Sequence, residues 1–173
     1  QPRLSVDRVF TVAGFGTVVT GTLLEGRLSI GQEVEIMPGS VRARIRGLQT
    51  HKTSLDEAVP GTRVAINLSG VSKDELHRGA VIVQPGSMRD TRMIDVSCRM
   101  LSDAHNSIPL RHNENVKLFL GTAEVMARVR GIGAPELLPG ENGWLQLELS
   151  QSVACLRGDR FVLRRPSPGA TIG

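Results

Sequence analysis

Aromatic residues are nearly missing from this chain of 173 residues, which has one Trp, no Tyr and four Phe. So few rings leave little on which bases could stack and argue against a broad single-strand platform; any RNA contact is expected to run mostly through backbone and shape. Cysteine is as scarce. Cys98 and Cys155 lie far apart, form no Cys-x-x-Cys pair and sit in apolar strand-like runs, which points to buried free thiols rather than a disulfide framework or redox centre. His51, His77, His105 and His112 show no ligand spacing, so no metal is assigned. No apolar run approaches the length that spans a bilayer, and Gln1-Pro2-Arg3 does not open a signal peptide, so no membrane partner is expected and a cytoplasmic location is the default. There is no Gly-x-x-x-x-Gly-Lys-Ser/Thr run and no Ser-His-Asp or Cys-His arrangement in a nucleophile's context. The chain by itself is therefore expected neither to hydrolyse nucleotides nor to act as an independent enzyme, and no cofactor is assigned to it.

What is present is regular. Charged residues make up 22% with both signs mixed, hydrophobic residues 40%, and the net charge is +4, a composition that suits a globular protein and is compatible with a phosphate-bearing partner without requiring one. Glycines recur about every ten residues between short alternating apolar runs, the rhythm of an all-β sandwich or barrel. Strands are expected near residues 4–13, 16–25, 32–37, 41–49, 62–69 and 80–84, with one helical turn at 72–77 capped by Ser72. Pro85-Gly86-Ser87 breaks the pattern. A second set of strands is expected near 93–101, 115–121, 122–132, 143–149, 152–156 and 160–165. Two consecutive domains, 1–87 and 88–173, follow.

The richest segment is Leu4–Gly21. Its alternating β-branched and aromatic residues lead into Gly14-Phe15-Gly16 and then Thr17-Val18-Val19-Thr20-Gly21, so it reads as a β-hairpin carrying the charge pair Asp7-Arg8. Arg8, and Arg63 in Gly61–Asn67, stand in otherwise apolar strands where a guanidinium needs an acceptor, because burying it unpaired is costly. Asp7 is the nearest carboxylate to Arg8 in sequence, although neighbours on one regular strand face opposite ways. A structural salt bridge or exposed strand charges explain these residues as well as a site does. Arg42, Arg44 and Arg46 alternate with apolar residues along one strand, and Arg128 and Arg130 do so in a similar octapeptide. Solvated faces or contacts to RNA phosphates both account for them.

The run from Leu4 to Gly21 resembles the second domain of translational GTPases of the elongation factor Tu class, in which a strand of the type Val-Asp/Glu-x-Val-Phe precedes Gly-x-Gly-Thr-Val-Val-Thr-Gly. Asp7-Arg8 and Arg63 resemble more narrowly the selenocysteine-specific elongation factors. That resemblance implies two translation-factor β-barrels of the domain 2 and domain 3 type. It also implies a pocket for the aminoacyl end of selenocysteyl-tRNA at Asp7, Arg8 and Arg63, and tRNA-backbone contacts among Arg42, Arg44, Arg46, Arg128 and Arg130. The intact protein would be a GTPase using GTP and magnesium in a GTP-binding domain outside these residues. It would deliver its tRNA to the ribosome and read a messenger RNA hairpin through further C-terminal domains. The alternatives are the same domains of a general elongation or initiation factor for another aminoacyl-tRNA, and a non-catalytic β-barrel adaptor binding RNA or protein.

Overall fold

The computed structural model describes residues 1–102, 108–167 and 169–173; His105 lies outside them. The chain divides into two compact units, residues 1–90 with 153–157, and residues 91–152 with 158–173.

In the first unit the alternation of small β-branched residues and the glycine turns yield nine strands: β1 (Arg3–Val12), β2 (Gly16–Glu25), β3 (Leu28–Ser29), β4 (Glu33–Met37), β5 (Val41–Thr50), β6 (Thr53–Leu55), β7 (Glu57–Ala58), β8 (Arg63–Ser69) and β9 (Val81–Val83). Six of them pair in the order β4-β9-β1-β2-β8-β5, and β5 pairs back with β4, so the sheet closes into a barrel. Closure removes the free edges that an open sheet would expose. Leu4, Leu23, Ile36, Ile45, Ile66 and Ile82 fill it and are essentially inaccessible. The single helical turn is a 3-10 turn at Lys73–Glu75, where the Glu75 carboxylate accepts from the backbone N–H and the hydroxyl of Ser72. Glu35 is a buried carboxylate, and it accepts a 2.7 Å bond from the Gly86 N–H that fixes the turn after β9.

Two irregularities in this barrel decide which side chains face outward. The β1–β2 register slips between Val6 and Arg8, leaving Asp7 as the extra residue of a bulge, and the β5–β8 register slips between Ile45 and Gly47, leaving Arg46 extra. A bulge breaks the period of two and turns adjacent residues toward one face. Leu4 and Val6 accordingly point into the core, Val9 rather than Arg8 packs against it next, and both Asp7 and Arg8 lie outside. Gly21 faces the β1 bulge. A Cβ there would fall on the Ser5 carbonyl oxygen and 2.6 Å from Leu4 Cδ2, so only glycine lets the strands approach this closely.

The second unit is built on β10 (Asp90–Arg99), β12 (Asn115–Leu120), β13 (Ala123–Ile132), β15 (Asn142–Ala154) and β16 (Phe161–Arg164), arranged as a curled five-stranded sheet in the order β10-β15-β13-β12-β16. A ribbon of β11 (Leu110–Arg111) and β14 (Glu136–Leu137) accompanies it. Val116, Leu118, Val129, Leu147 and Leu163 form its buried side. Residues 142–154 make one strand where two were expected, because the polar stretch Ser150-Gln151-Ser152 contains neither glycine nor proline to interrupt it. Cys98 is buried, Cys155 half-buried, and neither is joined in a disulfide; burial pushes the Cys98 thiol up. No helix among the described residues is long and apolar enough to cross a membrane.

Candidate functional site

The outer face of β1, β2, β8 and the end of β5 gathers the chemistry of the first unit. In β8, Val64, Ile66 and Leu68 point inward, which sends Arg63, Ala65 and Asn67 outward. In β2 the same alternation exposes Thr20 on that face. The bulge brings Asp7 to meet them. Its carboxylate accepts two hydrogen bonds from the Arg63 guanidinium, the Nη2 one 2.9 Å long and the other from Nη1, and a third of 2.8 Å from the Thr20 hydroxyl. Burial pushes the Asp7 carboxyl up. The bonds from Arg63 and Thr20, with the charges of Arg63 and Arg8, outweigh that and hold it below the usual carboxylate range. Hydrogen bonding to Asp7 in turn raises the Arg63 guanidinium.

Asp7 and Arg63 are thus in contact through a two-pronged pair, the geometry in which a guanidinium binds a carboxylate best. Arg8 shares the face, close enough to favour the charged form of Asp7, and makes no side-chain ion pair among the described residues. It does not line the adjoining hollow of about 280 Å³, whose walls are Thr20, Gln49, His51, Lys52, Arg63 and Ala65 with Val64.

Lys52 was not singled out from sequence, and His51 was considered only as a histidine without ligand spacing. They form the two-residue turn between β5 and β6, closed by Thr50 opposite Thr53, and both have positive φ, 48° and 67°. Such turns ordinarily take Asn-Gly; the unusual dipeptide is the one signal that could have marked them, since strain of this kind collects at functional sites. The Thr50 hydroxyl donates to the Arg63 carbonyl at 2.9 Å, tying the turn to β8.

A second hollow of about 540 Å³ adjoins the first and shares Gln49 and Ala65 with it. Its walls are mainly apolar, with Phe10, Val12, Phe15 and Val18 prominent, and Arg46 and Asn67 at its polar margin. Two of the four phenylalanines therefore converge on one place, which sparse aromatic content alone did not suggest. Phe15 is 62% exposed. A roomier hollow of about 620 Å³ in the second unit gathers Glu136 and Glu141 instead of cations, which does not suit an anionic ligand.

The remaining arginines are not equivalent. Arg42 lies 3.5 Å from Glu33, and Arg130 is bonded to Glu148 at 2.9 Å. Arg44, Arg46 and Arg128 make no side-chain ion pair among the described residues, so their charge is open to a phosphate. The strands that carry these residues differ too: β5 is bulged at Arg46, whereas β13 pairs with β15 in unbroken register from Ala127 to Ile132. Gly14-Phe15-Gly16 is a hairpin turn with no helix after it. It has neither the lysine nor the following helix of a phosphate cradle, so this turn does not fit the phosphates of GTP.

A closed six-stranded barrel with this outward-facing pair, followed by a second β unit, defines the β-domains of a translation factor: residues 16–83 match the family model for Elongation factor Tu domain 2. Residues 97–173 match the model for the selenocysteine-specific elongation factor, beta-barrel domain. The two matches together place both β units among translation-factor domains, the second among those of selenocysteine-specific elongation factors. The chain is 39% identical over 170 residues to a "Selenocysteine-specific elongation factor" of Desulfomicrobium baculatum, an alignment covering 98% of this chain and 26% of that protein. It superposes with a TM-score of 0.82 and 28% identity on "Crystal structure of bacterial selenocysteine-specific elongation factor EF-Sec", covering 99% of this chain and 27% of that one. The chain thus spans about a quarter of the length of these relatives.

Proposed function

We propose that the outer face of the first barrel receives the aminoacyl end of selenocysteyl-tRNA, with the amino-acid side chain in the hollow beside Arg63 and the terminal nucleoside in the apolar hollow next to it. The observation that carries this reading is the charge balance of the first hollow. Arg63 and Lys52 line it, Arg8 stands near Asp7 on the same face, and Asp7, bonded to Arg63, is the carboxylate beside them. A selenol is more acidic than a thiol, so selenocysteine is an anion near neutral pH, while serine is neutral and cysteine mostly protonated. A selenolate supplies the missing negative charge; a serine hydroxyl leaves the excess uncompensated. Asp7 holds Arg63 in place and limits the positive potential while the hollow is empty. Each part of the arrangement makes rejection of seryl-tRNA a matter of electrostatics rather than size.

Arg44 and Arg46 on the first unit and Arg128 on the second contact tRNA phosphates in this reading, adding salt-sensitive affinity without sequence choice. GTP and magnesium, ribosome delivery and messenger RNA recognition would belong to parts of the longer protein that these residues do not include. The test is to join the chain behind a GTP-binding domain of its family and measure affinity for selenocysteyl-tRNA and seryl-tRNA. Arg63→Ala is expected to shrink the preference by about tenfold or more, as loss of a charge-assisted hydrogen bond should. A preference untouched by Arg63→Ala, or one that Arg63→Lys and Arg63→Ala leave equally intact, contradicts the assignment.

A further inference from the structure

We infer that Lys52, rather than Arg63, supplies the charge that selects the amino-acid side chain; this rests on the reading just given and names the residue of that hollow on which the choice turns. Arg63 has little charge to spare. Its Nη1 and Nη2 both donate to the Asp7 carboxylate, and Nη2 also lies 3.4 Å from the Thr20 hydroxyl oxygen. A guanidinium fixed on a carboxylate in this way presents to its surroundings nearly the field of a neutral pair. Arg8 does not line the hollow, and of the side chains that do, Thr20, Gln49, Val64 and Ala65 carry no charge. Lys52 adds an exposed ammonium to that wall and is in no ion pair among the described residues.

The backbone carries a cost to put that side chain there. His51 and Lys52 have φ of 48° and 67°, a region in which a Cβ crowds the following carbonyl oxygen and glycine sits without strain. A two-residue hairpin turn gains nothing in stability from lysine at its second position, where glycine is the ordinary choice. What the lysine adds is its reach into the hollow, and strain of this kind collects where side chains have work beyond the fold. The Thr50 hydroxyl, bonded to the Arg63 carbonyl at 2.9 Å, holds the turn beside the strand that carries Arg63. An anion entering the hollow therefore meets one cation that nothing else compensates. Once the aminoacyl end covers the turn and strips water from the ammonium, a selenolate makes good the loss and a serine hydroxyl does so poorly. Loss of Arg63 acts through the same balance, because it frees the Asp7 carboxylate to cancel Lys52.

The test uses the whole chain joined behind a translation-factor GTP-binding domain, and one tRNA charged with selenocysteine or with serine. Lys52→Gln, which keeps length and polarity and removes the charge, is expected to reduce the preference for the selenocysteine form at least about fivefold. Lys52→Arg is expected to keep it within about twofold. Lys52→Gly is expected to lose the preference as Lys52→Gln does while its thermal midpoint stays at or above that of the unsubstituted protein, because glycine relieves the positive φ. A lysine kept for the fold would lose preference and midpoint together in that variant, and such a result overturns the inference. A preference that survives Lys52→Gln and yet falls with Arg63→Ala overturns the inference about Lys52 alone. Equal binding of the two charged tRNAs by the unsubstituted protein overturns the reading of the hollow and the inference with it.

Discussion

Replacing Gly21 by alanine tests whether the closeness of β1 and β2 aims Asp7 at Arg63. The added methyl would sit on the Ser5 carbonyl oxygen, 2.6 Å from Leu4 Cδ2 and 2.9 Å from the Ser5 carbonyl carbon. Two of those three neighbours are backbone, so a side-chain rotation does not relieve the clash; the strands must separate next to the bulge. Overpacking of this kind costs about 1–3 kcal/mol, set against about 0.4–1 kcal/mol gained by stiffening the unfolded chain. A net loss of about 1–2 kcal/mol is expected, which lowers the midpoint of thermal unfolding by roughly 4–8 °C per kcal/mol in a unit of this size. Amide exchange at the buried Val19 and Ile66, read by NMR, is the direct assay, with protection falling about 5- to 30-fold. The Asp7 carboxyl, titrated in the same sample, should move up toward its ordinary value of 3.8 as its contact with Arg63 loosens. Unchanged protection, or lost protection with Asp7 titrating as before, would refute the link between Gly21, the bulge and the pair.

Two further outcomes follow from the charges. The Asp7 carboxyl is depressed in the folded chain, so its contribution is full above the ordinary range and is lost as pH falls through the folded value; Asp7→Asn should lower the urea midpoint at neutral pH and match the unsubstituted chain once the pH is well below 3.8. A gap that persists in acid would mean that shape, not charge, is at stake. Arg128→Ala should flatten the log–log salt dependence of tRNA binding by about 0.7–0.9 for one lost phosphate contact. Arg130→Ala should flatten it less, because Glu148 already neutralises that side chain. Equal slopes for both variants would remove Arg128 from the interface.

Much of the barrel was legible because small β-branched residues and glycines mark strands and turns by local rules. The expected strand at 16–25 coincides with β2, and the other first-barrel strands differ by a residue or so at their ends. Register was not legible. Alternation read through Val6-Asp7-Arg8 sends Asp7 and Arg8 to opposite faces, and the bulge that overturns this depends on how β2 lies against β1, a non-local fact carried in part by Gly21. Short pairings such as β3 with β7 involve two residues each and leave no periodic signal. The contact of Asp7 with Arg63 spans 56 positions; resemblance suggested that the residues belong together, but their spacing could not. The turn at His51 and Lys52 escaped notice because a turn is read from Asn, Gly and Asp, and these two residues enter the left-handed region without that chemistry. The run of arginines on β5 read as one uniform stripe, whereas Glu33 pairs with Arg42 and Arg46 lines the apolar hollow.

The most direct measurement is the affinity of the chain, joined to its family's GTP-binding domain, for one tRNA charged either with selenocysteine or with serine at neutral pH. Recognition of a selenolate by the Arg63 neighbourhood requires the selenocysteine form to bind at least about tenfold more tightly. Equal affinities for the two charged tRNAs would contradict it and leave the hollow without a role in choosing the amino acid.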